Sequence, residues 1–514
     1  MTSNSFSRYA ALCLYGVLAF GVFLRLYGLD HQSLWLDEFA TLGPALHAHS
    51  FADAYTNYVN LHPTPPLYTL FIIGWSAVFG YDEWVLRLPS ALLGCATVYV
   101  FWRSLRKVLD ADVADSAAIL MALSWPAVYY SQELRAYEAA LFFVTIGAGL
   151  WLSILKDISG GEDHPATWYW MFVTALFASA THPFGFIISG FLLLYLFVIG
   201  FGMNRQTLRA FGLGATLAVF YGAWLVPNLI GIAHVTVSTQ TVFDRPGLEF
   251  FVSIGAFLFH HPVTALLTCV IPLALGGRGY IADLRSAVTR RAWSDPVIAL
   301  PCMMTVPFAF VFTVAQFQPF MYSRHMIAFL PFIYAFYAVV MARHAWKPGL
   351  QPIVVAALAI AASYWVYSDY YQPEKAQNRE AVALAIEQCE GNCTIAVGCR
   401  RSPPFECREG PNARTDGAYT RYLYYLNRTT LPMLPYQPQV FHNETELTAL
   451  IKAHQSNGEA PIVFLGGREG FRFIKMGAAA VRRLGGQCKR TDFLNAWTEF
   501  CHLSPEVKGL KTSE

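Results

Sequence analysis

Charge is what this chain has least of. Asp, Glu, Lys and Arg together make up 14% of its 514 residues, against roughly 25% in an ordinary soluble domain. A deficit of that size excludes a typical cytosolic enzyme. No Walker loop and no dinucleotide glycine fingerprint occurs, so nucleotide binding on those frames is excluded as well. There is no solenoid repeat and no low-complexity tract. The net formal charge of +2 leaves no electrostatic case for a nucleic-acid partner. Behind the first apolar run there is no small-residue cleavage pattern, so that run reads as a retained anchor.

What the chain has in excess is apolar surface: 55% hydrophobic and 15% aromatic residues, in runs too long and too numerous for one core. The bilayer is therefore its main solvent. Runs able to cross a hydrocarbon layer centre near Leu18, Leu93, Leu120, Val144, Phe177, Leu193, Val219, Ala256, Phe308, Ile333 and Leu358, which predicts about eleven spans. The short stretch from Pro66 to Phe79 is placed along the membrane surface. Counting it as a span would send the clusters Arg103/Arg106/Lys107, Arg205/Arg209, Arg278/Arg285/Arg290/Arg291 and Arg343/Lys347 outward, against the positive-inside bias. With it excluded, those clusters, Arg8 and Lys156 are cytoplasmic. An odd number of spans from a cytoplasmic start then delivers the carboxyl-terminal tail to the other side.

The fold expected is an all-α polytopic membrane domain over residues 1–367 and a small α/β soluble domain over 368–514, divided near Asp369. Within the tail, Arg379 to Glu387 and Glu444 to His454 read as helices, and Thr394 to Val397 and Pro461 to Leu465 as strands. Six of the ten cysteines crowd this tail: Cys389, Cys393, Cys399, Cys407, Cys488 and Cys501. An even, dense set in a small polar domain predicts up to three disulfides and an oxidising compartment. A zinc site using the Cys389-x3-Cys393 spacing is the rival reading. Tyr422, Tyr424 and Tyr425 with Arg421 read as a core stripe before a sugar-binding face.

Ionisable residues collect at the expected outer face. The first outer loop carries Trp35-Leu36-Asp37-Glu38. His62 precedes a proline-rich turn and Tyr68. Glu133, Arg135, Tyr137 and Glu138 join two spans, where a charge without partners is costly. His182 occupies a tight turn, and Arg324 and His325 stand before the tenth span. Such a set suits a pocket at the bilayer surface. An enzyme there has no nucleotide sugar at hand, so an activated donor must arrive through the membrane, and a lipid phosphate ester fits. A carboxylate would deprotonate an acceptor hydroxyl. Arginine or a divalent metal would stabilise the departing phosphate.

Trp35-Leu36-Asp37-Glu38, His62-Pro63 with Pro65-Pro66-Leu67-Tyr68, Arg87-Leu88-Pro89-Ser90, Arg135-Ala136-Tyr137, Thr181-His182 and Ser323-Arg324-His325 with Leu330-Pro331 resemble the GT-C glycosyltransferases. The nearest groups are the bacterial protein O-mannosyltransferases and the aminoarabinose or galacturonic acid transferases. The resemblance implies an inverting transferase that uses a polyprenyl-phosphate sugar and an extracytoplasmic lipid, glycan or protein acceptor. It implies Asp37 as the catalytic base, with Glu38 beside it in acceptor or metal contacts. Arg135, Arg324 and Tyr137 would hold the donor phosphate, and His62, Tyr68, Glu133, His182 and His325 would line the pocket. A divalent ion (Mg, Mn or Zn) is the cofactor it admits. The expected setting is a bacterial inner membrane, with site and tail facing the periplasm. The family's His-Pro-Pro is interrupted here by Thr64-Pro65. A lipid-linked sugar flippase is the alternative, but it would place charges near the midplane and show inverted repeats.

Overall fold

Inside a bilayer every backbone N–H and C=O must find a partner within the protein, so the apolar runs fold as helices. The computed structural model describes residues 3–46, 50–61, 64–201, 203–236 and 245–344 of the first part of the chain. Further on it describes 353–357, 360–361, 364, 375, 377–389, 394–398, 424–426, 439–441, 444–456, 461–467, 479–483, 486–494 and 496–502. The boundary expected near Asp369 lies outside these residues, as does most of the span expected near Leu358. The helices are α1 (Ser3–Leu26), α2 (Leu36–Leu46), α3 (Phe51–Leu61), α4 (Leu67–Phe79), α5 (Glu83–Val108), α6 (Ala111–Leu123), α7 (Trp125–Ser131) and α8 (Tyr137–Gly160). They continue with α9 (Pro165–Thr181), α10 (Pro183–Ile199), α11 (Asn204–Thr236), α12 (Leu248–Phe259), α13 (Pro262–Ala265), α14 (Ile271–Thr289), α15 (Pro296–Phe317) and α16 (Leu330–His344). A π-turn, Leu266–Val270, joins α13 to α14, and a 3-10 helix, Ser323–Phe329, precedes α16.

Five helical segments are long and apolar enough to cross a membrane among the described residues, six if the bent pair α6 and α7 is one span. The chain is an integral membrane protein. Two sequence expectations need correction. The run near Ala256 is the 12-residue helix α12, only about 18 Å long and too short to cross alone; it stops at His260, where φ is 54°. No span is expected between those near Ala256 and Phe308, yet Arg278 and Arg285 lie on the helix α14, because the helix runs on past the apolar segment that begins it.

The chain divides into two compact units. The first comprises Met1–Tyr27, His62–Tyr68 and Arg87–Tyr371. Close packing in it relies on small residues, as expected where lipid is as apolar as leucine: a Cβ on Gly21 of α1 would stand 2.9 Å from the Cβ and carbonyl of Ala122 on α6. The break between α6 and α7, a bend of 54°, follows from Pro126, which has no N–H to give the Ala122 carbonyl. Arg25 fills that gap. Its Nη1 donates to Ala122 O at 2.7 Å and its Nη2 to Met121 O at 3.0 Å, and the residue is 1% exposed. Arg25→Leu would strand those carbonyls in an apolar interior, so thermal unfolding in detergent should show a loss of about 2 kcal/mol. An unchanged melting curve would count against this assignment.

The long helix α8 fixes polarity within this unit. Over its 24 residues, roughly 36 Å, it runs from Tyr137 to a terminus where Lys156 Nζ donates to the Lys107 carbonyl at the end of α5, 2.9 Å away. There also Arg106 forks onto Asp115, Nε to Oδ1 at 2.8 Å and Nη2 to Oδ2 at 2.7 Å. The basic ends of α5 and α8 thus share one side, and Tyr137 stands at the opposite end.

The second unit comprises Gly28–Leu61, Thr69–Leu86 and Gln372–Glu514. Its five-stranded sheet uses β1 (Thr394–Gly398), β2 (Gln439–Phe441), β3 (Ile462–Gly467), β4 (Gln487–Phe493) and β5 (Ala496–His502), in the order β2-β1-β3-β5-β4. The first three in that order are parallel, and β5 joins β3 and β4 antiparallel. Ile462, Val463, Phe464 and Leu465 are all buried, so both faces of β3 are covered. Ile462 and Phe464 pack with Leu447 and Ile451 of helix Glu444–Ser456. Thr498 of β5 donates to the Ala381 carbonyl of helix Asn378–Cys389 at 2.7 Å. Of the tail cysteines, Cys488 and Cys501 form a disulfide across β4 and β5. Cys393, Cys399, Cys407 and the side chain of Cys389 lie outside the described residues, and with them the zinc alternative.

Candidate active site

Three helix starts meet in the first unit. Tyr137 begins α8, His182 caps α10, and Arg324 and His325 lie in the first turn of the 3-10 helix. The α9 to α10 turn is tight because Pro183 takes the first helical position, where its missing N–H costs nothing, and because Gly185 has no side chain. A Cβ on Gly185 would stand 2.1 Å from the Ala178 carbonyl oxygen. The Tyr137 ring lies 5.1 Å from that of His182 and 6.4 Å from that of His325, and the two imidazoles are 5.7 Å apart. Two guanidiniums approach the same tyrosine ring, Arg135 at 5.6 Å and Arg324 at 5.9 Å. Arg324 also lies 4.5 Å over Tyr322.

Both imidazoles have their tautomer set by backbone. The Phe184 N–H donates to His182 Nδ1 at 3.2 Å, and the Tyr322 N–H donates to His325 Nδ1 at 3.2 Å. A neutral ring that accepts at Nδ1 carries its proton on Nε2. Each histidine is therefore a fixed Nε2–H donor. Burial, then Arg135 and Arg324, push the pKa of His182 down to about 3. The ring is neutral at physiological pH. Its stabilising contribution is complete above the ordinary value of 6.5 and is lost progressively as the pH falls toward 3. Helix N-termini add partial positive charge and N–H groups. Cations and N–H donors gathered in this way suit an anion chemically.

Beside it an open cleft of about 420 Å³ is lined by Trp125, Tyr129, Tyr130, Phe257, Tyr322 and Arg324, among others. Gln132 anchors the loop before α8, donating to the carbonyls of Leu24 at 2.6 Å and Tyr27 at 2.8 Å. Glu133 is 1% exposed. Glu138 is fully buried and accepts from Thr97 at 3.0 Å. The Tyr68 hydroxyl bonds to Ser90 Oγ at 2.7 Å. His62 lies outside the described residues.

Asp37 and Glu38 belong to the second unit, in the first turn of α2. Asp37 is half-buried. Glu38 is 0% exposed; its Oε2 accepts from the Trp35 N–H at 3.3 Å and lies 3.6 Å from Lys375 Nζ. The Lys375 ammonium beside Oε2 offsets the charge that this oxygen would offer a divalent ion. Another acidic group stands at the turn after α8, where ligand atoms of Asp157, Glu162 and His164 lie within 4.8 Å of one another. Asp157 raises the pKa of the exposed His164 by accepting its hydrogen bond and by charge, so at that turn the acid and imidazole satisfy each other.

The sequence singled out Arg135, Tyr137, His182, Arg324 and His325, and the structure brings these five together. It missed Tyr322 and Phe184, whose N–H groups orient the imidazoles. Phe184 stands two residues after the capping His182, and Tyr322 is itself the N-cap of the 3-10 helix, with His325 at its third position.

A model of the family described as dolichyl-phosphate-mannose-protein mannosyltransferase matches residues 62–230. The crystal structure of ArnT from Cupriavidus metallidurans in the apo state is similar at a TM-score of 0.56 and 11% identity, covering 96% of this chain and 98% of that one. The same protein bound to undecaprenyl phosphate matches with the same TM-score, identity and coverage. No curated protein sequence matches.

Proposed function

We infer, from a fold that is that of the GT-C membrane glycosyltransferases, that this chain moves a sugar from a polyprenyl-phosphate donor to an extracytoplasmic acceptor with inversion. The observation that carries the reading is the meeting of Arg135, Arg324 and the two Nε2–H donors of His182 and His325 around Tyr137. A phosphodiester carries one negative charge and the departing phosphate monoester two. Donors fixed in place before reaction favour the second state. The aromatic cleft beside Arg324 takes the isoprenoid end of the donor. ArnT, which shares the fold, binds undecaprenyl phosphate.

In this reading Asp37 accepts the proton of the acceptor hydroxyl as its oxygen attacks the anomeric carbon. The bond from that carbon to the phosphate oxygen breaks, and the electron pair leaves with the phosphate. One displacement inverts the configuration. Glu38, held by Lys375, shapes the turn that carries Asp37, and no step runs through a metal. The basic residues at the opposite ends of α5 and α8 support an outer-side location through the positive-inside bias. The Cys488–Cys501 disulfide suits an oxidising compartment such as the bacterial periplasm.

The test is to incubate purified protein with a radiolabelled polyprenyl-phosphate sugar and an envelope extract as acceptor. Free polyprenyl phosphate and an acceptor labelled with inverted anomeric configuration are expected. Labelled donor that only changes leaflet in vesicles, chemically intact, would overturn the reading in favour of a flippase.

A further inference from the structure

The backbone just ahead of Asp37 is irregular from residue 27 to residue 35. A segment without a ladder or helix of its own must find hydrogen-bond partners elsewhere. Within the second unit several of those partners are supplied by residues 343 to 391 positions further along the chain. Arg379 donates from Nη1 to the Asp30 carbonyl at 2.6 Å and from Nη2 to the His31 carbonyl at 3.1 Å. The Leu34 N–H donates to the Tyr425 hydroxyl at 2.5 Å, and its carbonyl accepts from Asn378 Nδ2 at 3.4 Å. The Lys375 N–H donates to Gln32 Oε1 at 2.9 Å.

A single buried carboxylate ties two of these residues together. Glu83, 3% exposed, accepts from Arg379 Nη1 through Oε2 at 2.6 Å and from the Tyr425 hydroxyl through Oε1 at 2.8 Å. Tyr425 thus donates to Glu83 while it accepts from Leu34, so its orientation is fixed at both ends. On the far side of Asp37, Lys375 faces Glu38, and Phe39 lies edge-on to Tyr424 and Tyr425 at 5.5 and 6.3 Å. Both flanks of Asp37 are clamped by the tail. Tyr424 and Tyr425 are buried, in line with the core reading of the sequence, and the Tyr425 hydroxyl has this added use.

We propose that Arg379, Tyr425 and Lys375 are positioning residues for sugar transfer, holding residues 30–38 so that the Asp37 carboxylate keeps one orientation. This rests on Asp37 being the base. Misplacing a reacting group by about 1 Å costs on the order of 10²-fold in rate; loss of one tether among several displaces it by less.

The experiment uses the full-length protein in nanodiscs, with labelled polyprenyl-phosphate sugar. Tyr425→Phe keeps the ring and removes the hydroxyl bridge. It is expected to lower kcat about tenfold, leave the donor KM within about twofold, and speed amide hydrogen exchange over residues 30–38. Arg379→Lys should retain more activity than Arg379→Gln, since an ammonium still pairs with Glu83. An unchanged kcat in Tyr425→Phe, Arg379→Gln and Lys375→Met overturns the proposal. So does a fall in kcat matched by an equal loss of folded protein, which would make the contacts merely structural. The underlying reading fails separately: if Asp37→Asn is fully active, the base lies elsewhere whatever the tail variants do.

Discussion

Asp37→Asn is expected to slow sugar transfer about 10³-fold, the middle of the range for loss of a general base, with little effect on folding or on binding of free polyprenyl phosphate. Asparagine has the same shape but neither takes the proton nor carries the charge. The carboxylate sits in the first turn of α2, where its interaction with the helix end is worth only about 0.3–1 kcal/mol, so the melting temperature should barely move. Single-turnover release of labelled lipid phosphate is the measurement. A variant that keeps more than a tenth of wild-type rate removes Asp37 from the chemistry.

Arg324→Gln should lower kcat about 10²-fold, the scale set by removal of one preorganised charge donor. The guanidinium meets its largest demand when the second negative charge appears on the leaving phosphate. The same variant should therefore weaken product inhibition by polyprenyl phosphate in similar proportion, while the acceptor KM stays put. Its stacking on Tyr322 and Tyr137 is worth only about 1 kcal/mol, too little for unfolding to explain the loss. Unaltered kcat alongside a poorer acceptor KM would move Arg324 from the phosphate to the acceptor side.

Much of this was readable from residues alone, and the parts that were not have physical causes. Long apolar runs name α5, α8 and α15 directly, because lipid leaves a spanning chain no choice but helix. The α14 helix escaped, since Arg278 and Arg285 break the apolar signal while the backbone pattern continues. The β4 to β5 hairpin escaped for a related reason: Lys489, Arg490 and Asp492 face solvent and hide a strand from a hydropathy reading. At the site, the charges at helix starts pointed to Arg135, His182, Arg324 and His325. Their donor tautomers depend on the N–H groups of Phe184 and Tyr322, which only the turn geometry fixes. The grip of Arg379 and Tyr425 on residues 30–34 is tertiary and has no local signature at all.

The sheet order has a bearing on how one molecule meets another. Among the described residues the outermost strands are β2 and β4, and an open sheet edge invites a strand from a neighbouring molecule to zip on. Of the first of them, Gln439–Phe441 are described. The second presents Lys489, Arg490 and Asp492, and the Cys488–Cys501 bond keeps it from fraying or slipping by a residue. The charged β4 edge thus resists taking on a strand from a second molecule.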